Sequence, residues 1–302
     1  MTIHDRGLRS LAPASGIPAE QVSTPVEWDL LSQVFASIRL RGEFIYRLPL
    51  FPDLEHGFAA GHSYFHYVQS GAVRVIDAQG EVIDAGPGDL LLSLHAAGHR
   101  MVVGDSPAMI ICGAFRFEGA PLPLIMAAMP AFIHLPASAG PVPLWLASIV
   151  SFMVEEAALA ESGAGLMISR LIDLLVLRTL RTWVDASEQL GGWLAGLKEP
   201  RIGRALQAIH DEPFRSWSVE ALANIAMMSR SAFALRFNAT VGIPPLRYST
   251  QWRLTLAADL LRTMPGLRVV QVASRVGYES EAAFSRAFKS HFGCSPSAAR
   301  GI

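Results

Sequence analysis

The chain has 302 residues, with 25 Lys+Arg against 26 Asp+Glu and two cysteines, Cys112 and Cys294. That length accommodates two domains with separate cores, and two cysteines exclude a disulfide framework or a multi-cysteine zinc site. The net charge of -1 conceals a division: residues 198–302 carry 14 basic and 7 acidic side chains and residues 1–197 carry 11 and 19, so a polyanion partner suits only the C-terminal part.

Residues 1–23 are rich in Ser, Ala, Pro and Gly without periodicity and are expected to form a flexible arm. Thr24-Pro-Val-Glu27 is a capping box with proline at the first helical position, opening a helix through Leu30, Leu31, Val34 and Phe35. The apolar period then falls to two. Short strands are predicted near 38–50, 63–69, 72–77, 81–84, 89–94, 99–103 and 109–117, punctuated by Gly71, Gly80, Gly86, Gly88 and Gly104. Many short strands with glycine turns predict a small barrel or jelly roll.

Phe65-His66-Tyr-Val-Gln-Ser-Gly71, followed by Gly86-Pro-Gly-Asp89 and His99, resembles the two strand motifs of the cupin family. It is similar to the cupin-like sensor domain of some AraC-type regulators. His66 stands in the first motif, but no glutamate occupies the matching ligand place. No metal or other cofactor is expected. His66, His95, His99 and Cys112 instead predict the lining of a pocket for a small-molecule effector, whose apolar walls suit an uncharged or aromatic compound.

A helical period returns at Leu144–Leu159 and again at Gly165–Val184, where Leu166, Leu171, Leu174, Leu175, Val176 and Leu180 make more than half the surface apolar. One side can pack on the strands, and the other suits self-association, so a homodimer through helices within 144–184 is expected. Residues 24–190 therefore read as a sensing and dimerisation domain. Glycine, proline and polar residues over 191–199 predict a linker, and 200–302 reads as the second domain, opening with a helix over Pro200–His210.

This second domain holds one small unit twice, over 218–240 and 269–292. Ser218 precedes a short helix, Ala226-Met-Met228 a turn, and Ser229 caps a second helix with Ala232, Phe233 and Phe237 on its packed side. From the turn onward the copy lies 51 residues later: Ala226 pairs with Gly277, Ser229 with Ser280, Phe233 with Phe284, Phe237 with Phe288, Gly242 with Gly293 and Pro245 with Pro296. Helix, tight turn and capped second helix describe a helix-turn-helix, whose second helix enters the major groove of DNA. Between the copies, Pro245 to Thr263 predicts a single spacer helix of roughly 27 Å, suited to successive major-groove faces.

Trp217-Ser-Val-Glu-Ala-Leu-Ala, Met228-Ser-Arg-Ser-Ala-Phe233, Gly242-Ile-Pro-Pro245, Val276-Gly-Tyr278, Ala283-Phe-Ser-Arg-Ala-Phe-Lys289 and Gly293-Cys-Ser-Pro296 resemble the DNA-binding domain of the AraC/XylS regulators. The resemblance implies a two-domain α+β protein, a cupin-like domain followed by an all-α double helix-turn-helix. It also implies operator DNA as partner, RNA polymerase as a further one in an activator, and no enzymatic activity. Outward positions predicted to face DNA are Arg230, Ser231, Ala234 and Leu235 in the first unit and Glu281, Ala282, Ser285, Arg286 and Lys289 in the second. Arg286 matches a base-contacting arginine of the family and has the fork that reads guanine O6 and N7. Ser229, Ser280, Arg230 and Lys289 suit phosphates. Neither a signal peptide nor a bilayer-spanning run is predicted, which places the protein in the cytoplasm. A rival reading, a metal-dependent cupin enzyme with an accessory DNA-binding domain, requires a bound transition metal.

Overall fold

A computed structural model describes residues 29–37, 39–118, 126–137, 144–188 and 190–300. The expected arm and the Thr24 capping box lie outside the described residues; the helix after them, α1, is described over Leu30–Ser37. Nine strands follow: β1 Arg39–Leu50, β2 His56–Phe58, β3 Ser63–Ser70, β4 Val73–Asp77, β5 Val82–Ala85, β6 Leu90–Ser93, β7 His99–Val103, β8 Ala108–Glu118 and β9 Phe132–Leu135. The sequence reading missed β2 and β9. β2, at three residues, is too short to display a period; β9 is as long as β5 and β6 but has no glycine turn beside it.

The strands form two antiparallel sheets, β1-β8-β3-β6-β9 and β2-β7-β4-β5, which is the jelly-roll form and not a closed barrel. Tyr64, Val68, Leu91, Ile110 and Cys112 of the larger sheet share a core with Val73, Val75 and Met101 of the smaller one. The opposite face of the larger sheet is buried too. Phe65, Leu90, Leu92, Ile111 and Phe115 pack there with Leu146, Val150 and Met153 of α2, Leu144–Leu159, and with Ile172, Leu175 and Val176 of α3, Ala164–Ala186. A sheet covered on both sides carries apolar runs in place of alternation, as in Leu90-Leu-Leu92. Strand β3 shows how tightly the layers meet. Phe65 is paired with Gly113 of β8, and a Cβ on Gly113 would lie 2.1 Å from the Phe65 ring.

The expected linker is a correction. Gly192–Lys198 forms a helix, α4, whose Trp193 and Leu194 are buried, because its apolar side completes a core. Helices α5 (Pro200–Asp211), α6 (Val219–Ile225), α7 (Arg230–Val241), α8 (Pro245–Thr263), α9 (Val269–Arg275) and α10 (Glu281–Phe292) follow. The core under the larger sheet continues through Leu30, Val34, Trp193 and Leu206 into the first helix-turn-helix, where it takes in Phe233 and Phe237. The second unit has its own core around Phe284 and Phe288. Among the described residues no helix is long and apolar enough to cross a membrane.

Gly113→Ala is expected to destabilise the protein by about 1 to 3 kcal/mol through overpacking against Phe65. A lower urea midpoint at unchanged slope is the predicted signature; an unaltered midpoint would show that the ring yields freely.

Candidate DNA-binding surface and buried histidine cluster

Each helix-turn-helix is held by local chemistry that its sequence dictates. Ser218 accepts from the Ala221 amide at 3.1 Å to open α6. Ser229 accepts from Ala232 at 3.4 Å to open α7, and Ser280 from Ala283 at 3.2 Å to open α10. Such caps satisfy amides that the first turn leaves without carbonyl partners. Both second helices close on a left-handed glycine, Gly242 at φ 84° and Gly293 at φ 76°. Phe233 and Phe237 lie edge to face at 5.5 Å, Phe284 and Phe288 at the same separation, and all four are fully buried. Burial of each ring stabilises its unit by roughly 1.5 to 3 kcal/mol.

The register of the repeat requires a correction. Helices α7 and α10 are 51 residues apart, but α6 and α9 are 50 apart. Ala226 therefore answers to Val276, both with no exposed surface, and Met227 at φ 53° answers to Gly277 at φ 79°. The same hydrogen bond closes both turns, from Met228 to the Ala223 carbonyl and from Tyr278 to that of Ala273, each at 2.9 Å. One additional residue, before Ser280, lengthens the second turn. Ala232, expected on the packed side, is exposed, because Phe233 and Phe237 already fill the inward face four residues apart.

Outward positions on both second helices are open. Arg230, Ser231 and Leu235 are exposed on α7, as are Glu281, Ala282, Arg286 and Lys289 on α10, while Ala234 and Ser285 are half-buried. Ser229 and Ser280 are exposed as well, with their hydroxyls turned to the helix amides. Leu235, 75% exposed, stands where the second unit has Arg286, so the first unit offers an apolar contact and the second a bidentate donor. Sequence reasoning passed over two residues here. Asn238 is exposed at the place of Lys289, a correspondence that the 51-residue offset already contained. Arg236 on α7 forms an ion pair with Glu199, which no spacing reveals.

In the N-terminal domain the four residues expected to line one pocket separate. Cross-strand register sets His66 directly opposite Cys112, with His66 Nδ1 3.1 Å from Cys112 Sγ. The facing sheet brings His99 Nε2 to 2.8 Å from His66 Nε2. Phe58 stacks on His99 at 4.6 Å and Tyr64 on His66 at 5.9 Å. His95 is elsewhere. It is exposed and borders a pocket of about 400 Å³ with Ser63, Leu94, Arg116, Phe117 and Met126, since residues 63 and 94 sit on the far face of the larger sheet.

Burial dominates the chemistry of this cluster. It pushes the Cys112 thiol up, out of the range in which it ionises near neutral pH. It lowers His66 well below the ordinary imidazole value, assisted by the His99 and His56 charges, and lowers His99 to about 4. Cys112 Sγ, His66 and His99 form one hydrogen-bonded chain whose donor direction is set by the imidazole tautomers. In either direction His99 Nδ1 is a buried atom with no hydrogen-bond partner. Both His66 nitrogens are spent on neighbours, and among the described residues no three His, Cys, Asp or Glu side chains are grouped to hold a metal ion. The arrangement does not fit a metal centre.

Two family models match the chain: a cupin model over residues 29–185 and a helix-turn-helix domain model over residues 222–301. The RCS-specific HTH-type transcriptional activator RclR of Escherichia coli is 30% identical over 77% of this chain and 82% of its own length. A putative AraC-like transcription regulator of Streptomyces lividans is 36% identical over 64% of this chain and 63% of its own length. The HTH-type transcriptional regulator AlkR of Acinetobacter baylyi is 38% identical over 59% of this chain and 57% of its own length.

The buried histidines generate a pH dependence. His210, whose Nε2 lies 2.8 Å from the Tyr248 hydroxyl, is lowered by burial to about 3, and His99 to about 4. With His66 these make three imidazoles, unperturbed near 6.5 in the unfolded chain, that take up protons there first as pH falls. Stability is thus fully present above about pH 6.5 and is lost progressively below it, down to about pH 3. Urea midpoints should hold level from about pH 7.5 to about pH 6.5 and decline from there to about pH 4; a flat series would contradict the buried neutral state.

Proposed function

Because the chain belongs to the AraC-type family of DNA-binding transcription regulators, with a cupin domain ahead of its helix-turn-helix domain, we propose that it is an effector-controlled dimer that reads operator DNA with both units. The observation that carries this reading is the repeated recognition helix. Two capped helices of 12 residues each bury a phenylalanine pair and turn their exposed sides outward. In this reading Arg286 and Glu281 address base edges, Lys289, Arg230 and the cap serines address phosphates, and Ala282, Ser285, Ser231, Ala234 and Leu235 complete the groove surface. Leu235 then contacts thymine methyls, the apolar feature of the major groove. RNA polymerase is a further partner where the protein activates. Regulation, not catalysis, is the use of the N-terminal domain.

The effector in this proposal is a small, mainly apolar molecule. It occupies the pocket bordered by Leu94, His95, Phe117 and Met126, with His66, His99 and Cys112 forming the packed interior behind the sheet. Dimerisation uses the apolar residues that α2 and α3 leave exposed: Phe152, Leu159, Leu166, Met167, Leu174 and Leu177. Large apolar side chains exposed in this number on two helices suit an association surface.

Footprinting on the upstream intergenic DNA across a salt series tests the reading. Protection of two adjacent major grooves per protomer is expected, with affinity falling steeply as salt rises. Arg286→Ala should cost about 1 to 3 kcal/mol at the specific site and relax one base-pair preference; equal binding by parent and variant removes its base-reading role. Sedimentation of Leu174→Asp should give a monomer where the parent gives a dimer, and an unchanged mass would remove the α2/α3 interface.

A further inference from the structure

Helix α8 passes through two cores. Tyr248 and Trp252 pack with Phe237 in the first unit, whereas Leu254, Ala257 and Leu261 pack with Val272, Phe284 and Phe288 in the second. Arg253 stands at the changeover and is half-buried. Its Nε donates to the Pro213 carbonyl at 3.3 Å and its Nη2 to the Arg215 carbonyl at 2.8 Å. Both acceptors belong to the loop between α5 and α6, which leads into the first unit.

The other side of the same guanidinium meets the second unit. Nη1 lies 3.7 Å from the position of a Cβ on Gly277, the turn residue between α9 and α10. Gly277 also approaches the loop directly: at φ 79° a Cβ would sit 2.9 Å from the Phe214 carbonyl oxygen. Residues 213–215, in the loop that enters the first unit, and the Gly277 turn of the second therefore meet around one arginine. Burial lowers the Arg253 pKa, with the neighbouring Tyr278 acting in the opposite direction. The guanidinium remains charged at neutral pH, and a partly desolvated charge of this kind is tolerated where its donors are taken.

Apolar contacts along α8 hold each unit on the helix without being directional; hydrogen bonds to backbone carbonyls are. We propose that Arg253 is a positioning residue that sets the angle between the two helix-turn-helix units, and so selects the spacing between the two DNA boxes they read, without touching DNA itself. This rests on the reading that both units engage DNA. Two linked sites gain from each other only when the linkage matches the separation of their targets. A rigid junction makes that match strict and a loosened one makes it permissive.

The test measures binding of the full chain, by fluorescence anisotropy, to three duplexes: the footprinted two-box operator, the same with one base pair inserted between the boxes, and one with a single box scrambled. The parent is expected to prefer native spacing over the insertion by about tenfold. Arg253→Met, which keeps the aliphatic stem, should bind the one-box duplex within about twofold of the parent while its spacing preference shrinks below about threefold. Gly277→Ala disturbs the same junction from the other unit, should relax spacing in the same direction, and decides the matter if Arg253→Met does not fold. The proposal is overturned if both variants keep the parent's ranking of the three duplexes, or if their one-box affinity falls as far as their two-box affinity. A parent that binds one-box and two-box DNA equally defeats the two-unit reading itself, and with it any spacing for Arg253 to set.

Discussion

Everything in the DNA-binding domain depends on one helix serving two cores. Trp252 and Leu254, two positions apart on α8, belong to different apolar clusters, so neither unit is closed without the segment that joins it to the other. A spacer built this way transmits orientation as well as distance, because each half of the helix is locked by its own packing. The repeated units are not mechanically equivalent, however. The first shares a continuous core with the cupin domain through Leu30, Val34, Trp193 and Leu206; the second is bounded by its own cluster.

Polar contacts accompany the shared core between the N-terminal domain and the first unit. Gln33 on α1 donates to Asp211 at the end of α5 at 2.5 Å, and Lys198 on α4 reaches the carbonyls of Asp185 and Ser187 at the end of α3. Glu199, next in the chain, pairs with Arg236 on the first recognition helix. The exposed pairs contribute little individually; the buried apolar contacts between them are what ties the sheet to the first unit.

Much of this was legible because the informative signals were local. Serine caps, glycine stops and phenylalanines four residues apart identify α7 and α10 from their own residues, and the observed α8, Pro245–Thr263, has the predicted bounds. Seven strands were legible from alternation and glycine turns, but β2 is too short for a period to form and β9 lacks an adjoining glycine turn. Helix α4 was read as linker because Gly191, Gly192 and Pro200 are turn residues by composition; its burial depends on a core assembled from distant segments. The one-residue difference between the turns is invisible in the sequence for a related reason. Ala226 and Gly277 are both small, and only the hydrogen-bonding pattern distinguishes equivalent from adjacent positions.

The sequence by itself determined the local and periodic features: the two capped recognition helices, their buried rings, the outward positions of Arg286 and Lys289, and the order of sheet and helix. Such features depend on neighbours within a few residues, where backbone geometry is set by residue type. Only the tertiary structure decided which distant groups meet. Strand register put Cys112 beside His66, sheet-on-sheet packing brought His99 to the same ring, and the loop after β6 carried His95 to another pocket. The same holds for Arg253, whose carbonyl partners lie 38 and 40 residues away. No pattern of residue types records these encounters, because they are fixed by how whole layers pack.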